Sequence, residues 1–365
     1  MNTETPSVRA FAPGRIEILG NHTDYNDGYV LSMAIDLGIT ATLKSRSDRN
    51  LQLHSEESDD GVMTPLDGEI AATKTWADYS LGVVKQLLAR GVPVAGCDIL
   101  YTSDLPQGAG LSSSAALEVS TAVGLTALAG GSTLSKLDLA KLCRAAENDF
   151  VGVGCGLLDQ VSSLFGEESH AIFLDCRKET VETIPMPEEY RWLVISSAVP
   201  HALTGGEYNE RREQCQEAAR LLGVPALRDA KIIMLGSTEL PDVVRRRAMH
   251  IVGENERVQE GIDFLRRGAM QDFGALMFAS HESSRTNFEN STPELDQLVE
   301  IAKKTPGICG ARLTGGGFGG AILCLAKVDQ AETAGWSIAE QYKEQTGHVT
   351  VPIICKSGAG ARVLR

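Results

Sequence analysis

The sequence predicts an α+β protein of two lobes. β-favouring runs gather in the amino-terminal part of its 365 residues, and the stretch from 206 to about 304 is mainly helical. Strand-rich and helix-rich blocks that segregate in this way argue against a regular strand–helix alternation. A chain this long also exceeds the usual size of a single core.

The elements follow in order. Short β-favouring runs at 16–20, 29–35, 39–45 and 95–102 are separated by polar or glycine turns. Between them 76–88 has helical spacing, with Leu81, Val84, Leu87 and Leu88 on one side before Gly91. Three helices are then expected: 112–128, ending at Gly130 and Gly131; 134–151, ending at a glycine-rich linker over 152–156; and 157–165, ending at Gly166. A strand at 192–197 precedes the helical block, which opens with capping-box spacing between Thr204 and Glu207. A strand–glycine loop–strand unit over 311–325, a helix at 332–342 and a strand at 349–355 complete the chain.

Composition narrows the class. Hydrophobic residues at 43% with 22% charged residues describe a soluble globular chain. The net charge of −14 argues against nucleic acid and anionic membranes as partners, so an anionic substrate needs local cations or a metal. The first nine residues hold no apolar signal segment and no 18-residue apolar run occurs, so a cytoplasmic location is expected. None of the eight cysteines has C-x-x-C spacing, and reduced, mostly buried thiols are expected rather than disulfides or zinc.

The run Leu105-Pro-Gln-Gly-Ala-Gly-Leu-Ser-Ser-Ser-Ala-Ala-Leu117 carries the clearest chemistry. Glycine lets backbone N–H groups approach a ligand, and a helix N-terminus offers unpaired donors and partial positive charge, a combination that suits phosphate. A serine-capped helix needs only Ser112, and three serines behind Gly108 and Gly110 exceed that need. Leu111 follows Gly110 where a Walker loop needs lysine, and Ser113 stands where a dinucleotide fingerprint needs its third glycine. The formal G-x-G-x-x-G match, 315–320, joins two strands, the wrong context for NAD; it brings backbone close to a ligand or forms a plain glycine hairpin.

Two further segments stand out. From Asn21 to Asn26 every side chain can hydrogen-bond, between two β-like runs, which fits a polyol clasp or a solvated turn equally. Glu147 lies at the edge of the apolar stripe of its helix and Asp159 faces away from the stripe of the next. Such a pair reads as a metal ligand and a base, or as ordinary solvated helix acids.

Taken together these residues resemble the galactokinases of the GHMP sugar and metabolite kinase superfamily. The segment 14–28 is similar to the galactokinase signature, 106–116 to the superfamily's ATP-phosphate loop and 311–320 to its third glycine-rich motif. Similar stretches at 76–79, 206–215, 254–258, 293–296 and 357–363 extend the resemblance over nearly the whole chain in order. It implies an N-terminal lobe over 1–190 and a C-terminal lobe over 191–365, with the active site in the cleft between them. It implies phosphorylation of galactose at the C1 hydroxyl by ATP, with Mg²⁺ as cofactor, in a monomer or weak dimer.

Roles follow residue by residue from that resemblance. Asp159 matches the catalytic base and Arg15 the arginine beside it. Ser114 and Glu147 match the Mg²⁺ ligands. Asn21, His22, Asp24, Gly156 and Tyr208 match sugar contacts. Trp76 matches a residue near the nucleotide base, and Gly108, Ala109, Gly110, Leu111, Ser112, Ser113, Ser114 and Ala115 form the ATP loop. The chain departs from the family pattern in three places: Glu17 and Asn21 exchange asparagine and glutamate, Gly154 replaces a proline, and 283–291 lacks the common Leu-Arg-Asp-Asp form. The exchange suggests a co-adjusted polar pair. The departures leave kinase chemistry untouched and leave open a kinase for N-acetylgalactosamine, arabinose or another sugar; the alternative from another class is a non-catalytic galactose/ATP sensor.

Overall fold

A computed structural model describes residues 6–106, 108–131, 134–199 and 206–364. Its first half alternates long strands with a helical layer: β1 (Ser7–Leu19), β2 (Tyr29–Ser45), β3 (Asn50–Ser55), β4 (Ser58–Pro65), α1 (Ala77–Ala89) and β5 (Cys97–Ser103). Then come α2 (Ser113–Leu128), α3 (Lys136–Ala146), α4 (Leu158–Phe165), β6 (His170–Asp175), β7 (Thr180–Pro185) and β8 (Tyr190–Ser196). The second half holds α5 (Gly206–Leu222), α6 (Ile232–Ser237), α7 (Asp242–Arg267), α8 (Met270–Ser283) and α9 (Pro293–Lys304). It closes with β9 (Ile308–Thr314), β10 (Ala321–Lys327), α10 (Ala331–Thr346), β11 (Ile353–Cys355) and β12 (Arg362–Leu364).

The strands form two sheets. The larger runs β12-β1-β2-β5-β3-β4, with β6 and β7 continuing from the first half of β2, and every ladder in it is antiparallel except β3 against β5. The smaller runs β11-β8-β10-β9. Leu81 and Leu87 of α1, Val119 of α2, Leu142 of α3 and Val161 of α4 share one core with Ile16, Ile18 and Leu43 of the larger sheet. One face of the smaller sheet joins that core through Val194 and Leu323, against Phe273 and Met277 of α8. Its other face packs Ile195, Leu313 and Ile322 on α9 and α10. The last strand, β12, returns to the larger sheet beside β1, so the carboxyl end of the chain is stitched into the sheet where it began.

Several elements differ from the sequence expectation for identifiable reasons. The runs at 29–35 and 39–45 are one strand, β2, because Gly38 allows close approach rather than a turn. A Cβ there would lie 2.3 Å from Ala12 O, and the Gly38 N–H is held by Asp104. The helix expected over 134–151 stops at Ala146 and gives way to a single wide π-type turn, Glu147–Val151, of the kind that gathers at functional sites. Of the strand expected over 349–355 only β11 pairs, Pro352 having no N–H to give a ladder. Strands β3, β4, β6 and β7 lie toward the sheet margins and carry mixed polar faces that blur alternation. The capping box that includes Thr204 lies outside the described residues.

Candidate active site

The cleft begins at Gly14. A Cβ there would fall 2.7 Å from Leu111 O, so β1 and the loop before α2 pack backbone to backbone, and Arg15 N donates to Leu111 O at 3.0 Å. Alternate residues of a strand face opposite sides. Ile16 and Ile18 are therefore in the core, while Arg15 and Glu17 line a cavity of 670 Å³. A second cavity of 260 Å³ is lined by the loop 108–114 and shares Arg15, Asp159, Gly108 and Gly110 with the first.

Arg15 and Asp159 stand where the two cavities meet. Arg15 Nε donates to Asp159 Oδ1 at 2.8 Å and Nη2 donates to Oδ2 at 2.9 Å, a bidentate pair. The remaining guanidinium nitrogen, Nη1, donates to Gly110 O at 2.7 Å, tying the pair to the loop. Asp159 sits in the first turn of α4 and keeps 27% of its side chain accessible, against 8% for Arg15. Orientation of Asp159 away from the core stripe, read from helical spacing, is thus what the fold delivers.

The loop is shaped by left-handed residues: Gly108, Gly110 and Ser112 have φ of 69°, 67° and 58°. Ser112 occupies the position before α2, yet its hydroxyl does not cap the helix; it donates to Asp159 Oδ2 at 2.5 Å. The first amides of α2 are thus left without a side-chain cap, and Ser113 and Ser114 line the smaller cavity. Ala115 is fully buried and lines neither cavity. Trp76 also lines neither; it packs edge-on against Tyr101, and Tyr79, one turn later on α1, reaches the larger cavity instead.

Glu147, at the π-type turn, lines the larger cavity. Its Oε2 accepts from Gln160 Nε2 at 2.9 Å and from Cys155 Sγ at 3.1 Å. Burial, with the nearby Asp159 charge, pushes its carboxyl up to about 7. Gln160 also donates to Glu118 Oε2 at 3.1 Å, while Glu118 Oε1 is buried with no hydrogen-bond partner among the described residues. Burial and the adjacent Glu147 push Glu118 well above the usual carboxylate range. Two acids this close, with so little local compensation, favour a cation.

The polar loop after β1 is buried and internally hydrogen-bonded rather than a solvated turn. Glu254 Oε2 on α7 accepts from Gly20 N at 2.9 Å and Asn21 N at 3.1 Å. Burial raises the Glu254 carboxyl, but Arg257, His250 and Arg312 outweigh it and hold it well below the usual range. His22, at φ 60°, contacts Gly316 O through Nε2 at 2.9 Å and Tyr25 Oη through Nδ1 at 2.7 Å. Burial lowers its pKa to about 4, so the ring is neutral near pH 7. Asp24 reaches the cavity against Gly156: a Cβ on Gly156 would fall 1.8 Å from Asp24 Oδ2, so only glycine fits. Burial, then Glu17 and Asp159, push the Asp24 carboxyl up to about 6. Tyr208 on α5 closes this side.

Asn21 has no accessible surface. Its Nδ2 donates to Glu17 Oε1 at 2.9 Å and to Gly315 O at 2.8 Å, and its Oδ1 accepts from Asn290 Nδ2 at 2.9 Å. The exchanged pair at 17 and 21 is therefore in direct contact, and the divergent 283–291 segment touches it through Asn290. Asn290 O in turn accepts from Phe318 N at 2.6 Å, fixing the glycine loop between β9 and β10. That loop lines both cavities, through Gly315 and Gly316. Gly154 O is tethered by Arg212 Nη1 at 3.2 Å, and Asn148 brackets Cys155 N and O, so the 152–156 loop is held despite its glycines.

The residues' own pattern brought Asp159, Glu147, His22, Asp24 and the loop serines to notice, the resemblance added Arg15, Gly156 and Tyr208, and the fold gathers them at one cleft, which Asn21 also borders. Spacing did not single out Tyr79, Glu118 or Asn290. Tyr79, Glu254 and Asn290 lay inside stretches whose resemblance or divergence had already marked them.

Three family models match the chain: a galactokinase galactose-binding signature over residues 1–45, a GHMP kinase N-terminal domain over 78–167 and a GHMP kinase C-terminal model over 262–344. The chain is 40% identical over 363 residues to a galactokinase of Glaesserella parasuis, covering 97% of this chain and 94% of that protein. It is 40% identical over 365 residues to a galactokinase of Chloroflexus aurantiacus, covering 97% and 93%. Among solved structures, Lactococcus lactis galactokinase complexed with galactose superposes with a TM-score of 0.94 at 32% identity, covering 98% of this chain and 95% of that one.

Proposed function

The chain belongs to the galactokinases, within the GHMP kinases, and from that membership we propose that it transfers the γ-phosphoryl group of ATP to the anomeric C1 hydroxyl of galactose. The observation that carries the reading is the Arg15–Asp159 pair, bidentate and partly accessible where a polar cavity meets a glycine–serine loop. Asp159 accepts the proton of the C1 hydroxyl, and Arg15 aims its carboxylate while stabilising charge on the transferring group. The loop amides and the N-terminus of α2 hold phosphate oxygens in the smaller cavity. Phosphoryl transfer depends mainly on such positioning and neutralisation.

Ser114 and Glu147 are the residues that would hold Mg²⁺. Among the described residues no cluster of three His, Cys, Asp or Glu side chains stands ready for a metal. A cation held there would have few protein ligands, which suits Mg²⁺. The raised Glu147 carboxyl and the orphaned Glu118 oxygen fit a site that gains from added positive charge. Bound Mg²⁺ supplies charge neutralisation between phosphates.

His22, Asp24, Gly156 and Tyr208 form the sugar side, with Tyr79 on the flank toward Glu147. Residues 1–190 and 191–365 are taken as the two lobes, with β12 crossing back to the first. No described helix is long and apolar enough to cross a membrane.

The test is Asp159→Asn. Loss of a general base typically costs about 10²–10⁴-fold in rate, so turnover with galactose falls by that order while ATP binding, read by calorimetry, persists. Near-normal turnover removes Asp159 as the base. Absence of ADP release from the unaltered protein with every sugar in a panel favours a sensor. The phosphate position of the product, read by NMR, separates C1 transfer from transfer elsewhere.

A further inference from the structure

We propose that the Glu17 carboxylate is a sugar contact at the end of the substrate remote from the reacting hydroxyl, set in place by Asn21 and Asn290; the proposal rests on the sugar-kinase reading above. Glu17 lies two residues beyond Arg15 on the same face of β1, at register positions 15–17 where the ladder with β2 is unbroken. A strand advances about 3.3 Å per residue, so the Glu17 backbone sits about 7 Å past that of Arg15, roughly the reach of a hexose with its substituents. With C1 at Asp159, the far end of the ring (the C4 and C6 hydroxyls) falls beside Glu17.

The two carboxylate oxygens have different duties. Oε1 accepts from Asn21 Nδ2 at 2.9 Å and from Arg312 Nη1 and Nη2 at 3.3 Å each. Oε2 accepts from no described residue, and the 5% of Glu17 that stays accessible belongs to a side chain that lines the larger cavity. The Glu17 charge acts on Asp24 and on Tyr208, which line the same space. Asn21 cannot take this duty, because it has no accessible surface and both amide hydrogens are committed to Glu17 and Gly315. Asn290 holds the Asn21 amide in that orientation. Asn21 and Asn290 are positioning residues; Glu17 is the contact.

A mostly desolvated oxygen that needs a hydroxyl donor discriminates strongly against a sugar lacking it, since the unpaired group then keeps its desolvation penalty. In Glu17→Gln, the Asn21 and Arg312 donors keep the amide carbonyl at the Oε1 place. The NH₂ is thereby forced toward the cavity, turning an acceptor into a donor.

The experiment measures kcat and KM for galactose, 4-deoxygalactose and 6-deoxygalactose in the unaltered protein, Glu17→Gln and Asn290→Ala. Each sugar-to-sugar ratio is taken within one preparation, so partial misfolding cancels. The unaltered protein is expected to lose about tenfold or more in kcat/KM on one deoxy sugar. That gap collapses to within about threefold in Glu17→Gln, carried by the KM for galactose. Asn290→Ala narrows the same gap and leaves the KM for ATP unchanged. A gap that persists in Glu17→Gln, or no gap on either deoxy sugar in the unaltered protein, overturns the Glu17 assignment and leaves the kinase reading standing. Turnover of none of the three sugars by the unaltered protein fells both.

Discussion

Replacing Asp24 by asparagine should stabilise the substrate-free protein. Burial, reinforced by Glu17 and Asp159, lifts the Asp24 carboxyl from an ordinary 3.8 to about 6. At about 1.4 kcal/mol per tenfold in proton affinity, that gap is worth about 3 kcal/mol. The sign follows from which state holds the proton more tightly. The folded state does, so the penalty is absent below the unfolded value, grows as pH rises from 3.8 toward 6, and is complete above it.

Asparagine is isosteric, keeps an acceptor for Tyr25 N, which now donates to Asp24 Oδ1 at 3.0 Å, and carries no charge at any pH. The ceiling on its gain is therefore about 3 kcal/mol at pH 8 and about 1.5 kcal/mol at pH 5. Part of the Asp24 surface faces the cavity, whose solvent lowers both figures. Urea titrations at the two pH values, compared by midpoint at unchanged slope, give the difference directly. A variant no more stable at pH 8, or a gain that does not shrink toward pH 5, refutes the account. Stability gained this way costs function: the KM for galactose rises as a charged contact is lost.

Other substitutions probe separate joints of the site. Gly156→Ala drives a methyl group into the Asp24 carboxylate, so the KM for sugar rises about tenfold or more while the melting temperature falls by an overpacking cost of about 1–3 kcal/mol; an unchanged KM refutes the close approach. Ser112→Gly relieves a left-handed non-glycine residue worth about 1–2 kcal/mol, raising thermal stability, and lowers kcat because Asp159 Oδ2 loses its hydroxyl donor. Glu254→Gln leaves Arg257 without its buried partner, and a loss of about 3–5 kcal/mol in denaturant unfolding is expected; a loss below about 1 kcal/mol refutes Glu254 as the anchor of the clasp.

Much of this site was legible because its chemistry is local in sequence. Glycines at 108 and 110 before three serines announce a phosphate loop, since only backbone freedom and a helix start are needed. The outward face of Asp159 follows from helical spacing alone. The π-type turn at Glu147 did not follow, because one inserted residue leaves the apolar stripe nearly intact while it turns the carboxylate inward. Asn21 shows the complementary limit. A polar residue in a clasp segment reads as a ligand contact, yet its amide is consumed by Glu17, Gly315 and Asn290, and the last two arrive from more than 250 residues downstream. Marginal strands such as β4 were missed because edge strands carry charge and glycine on their open faces.

Backbone strain ties these pieces into one device. Of the nine described non-glycine residues with positive φ, four, His22, Ser112, Glu289 and Phe318, lie in the cleft or in the segments that brace it. Each is over-determined by bonds to another segment. The His22 ring spans Tyr25 and Gly316; Ser112 is bound to Asp159; Phe318 N is taken by Asn290 O; and Glu289 is clamped by Arg246 and Arg247. Left-handed conformations of this sort persist only where surrounding contacts offset them. Here the offsetting contacts join the loop after β1, the phosphate loop, α4 and the β9–β10 loop, which line the cleft, while α7 braces Glu289 from outside it. The strain is therefore spent on holding those walls in register before any substrate arrives, and preorganisation of this kind lets fixed dipoles act on developing charge without reorganising.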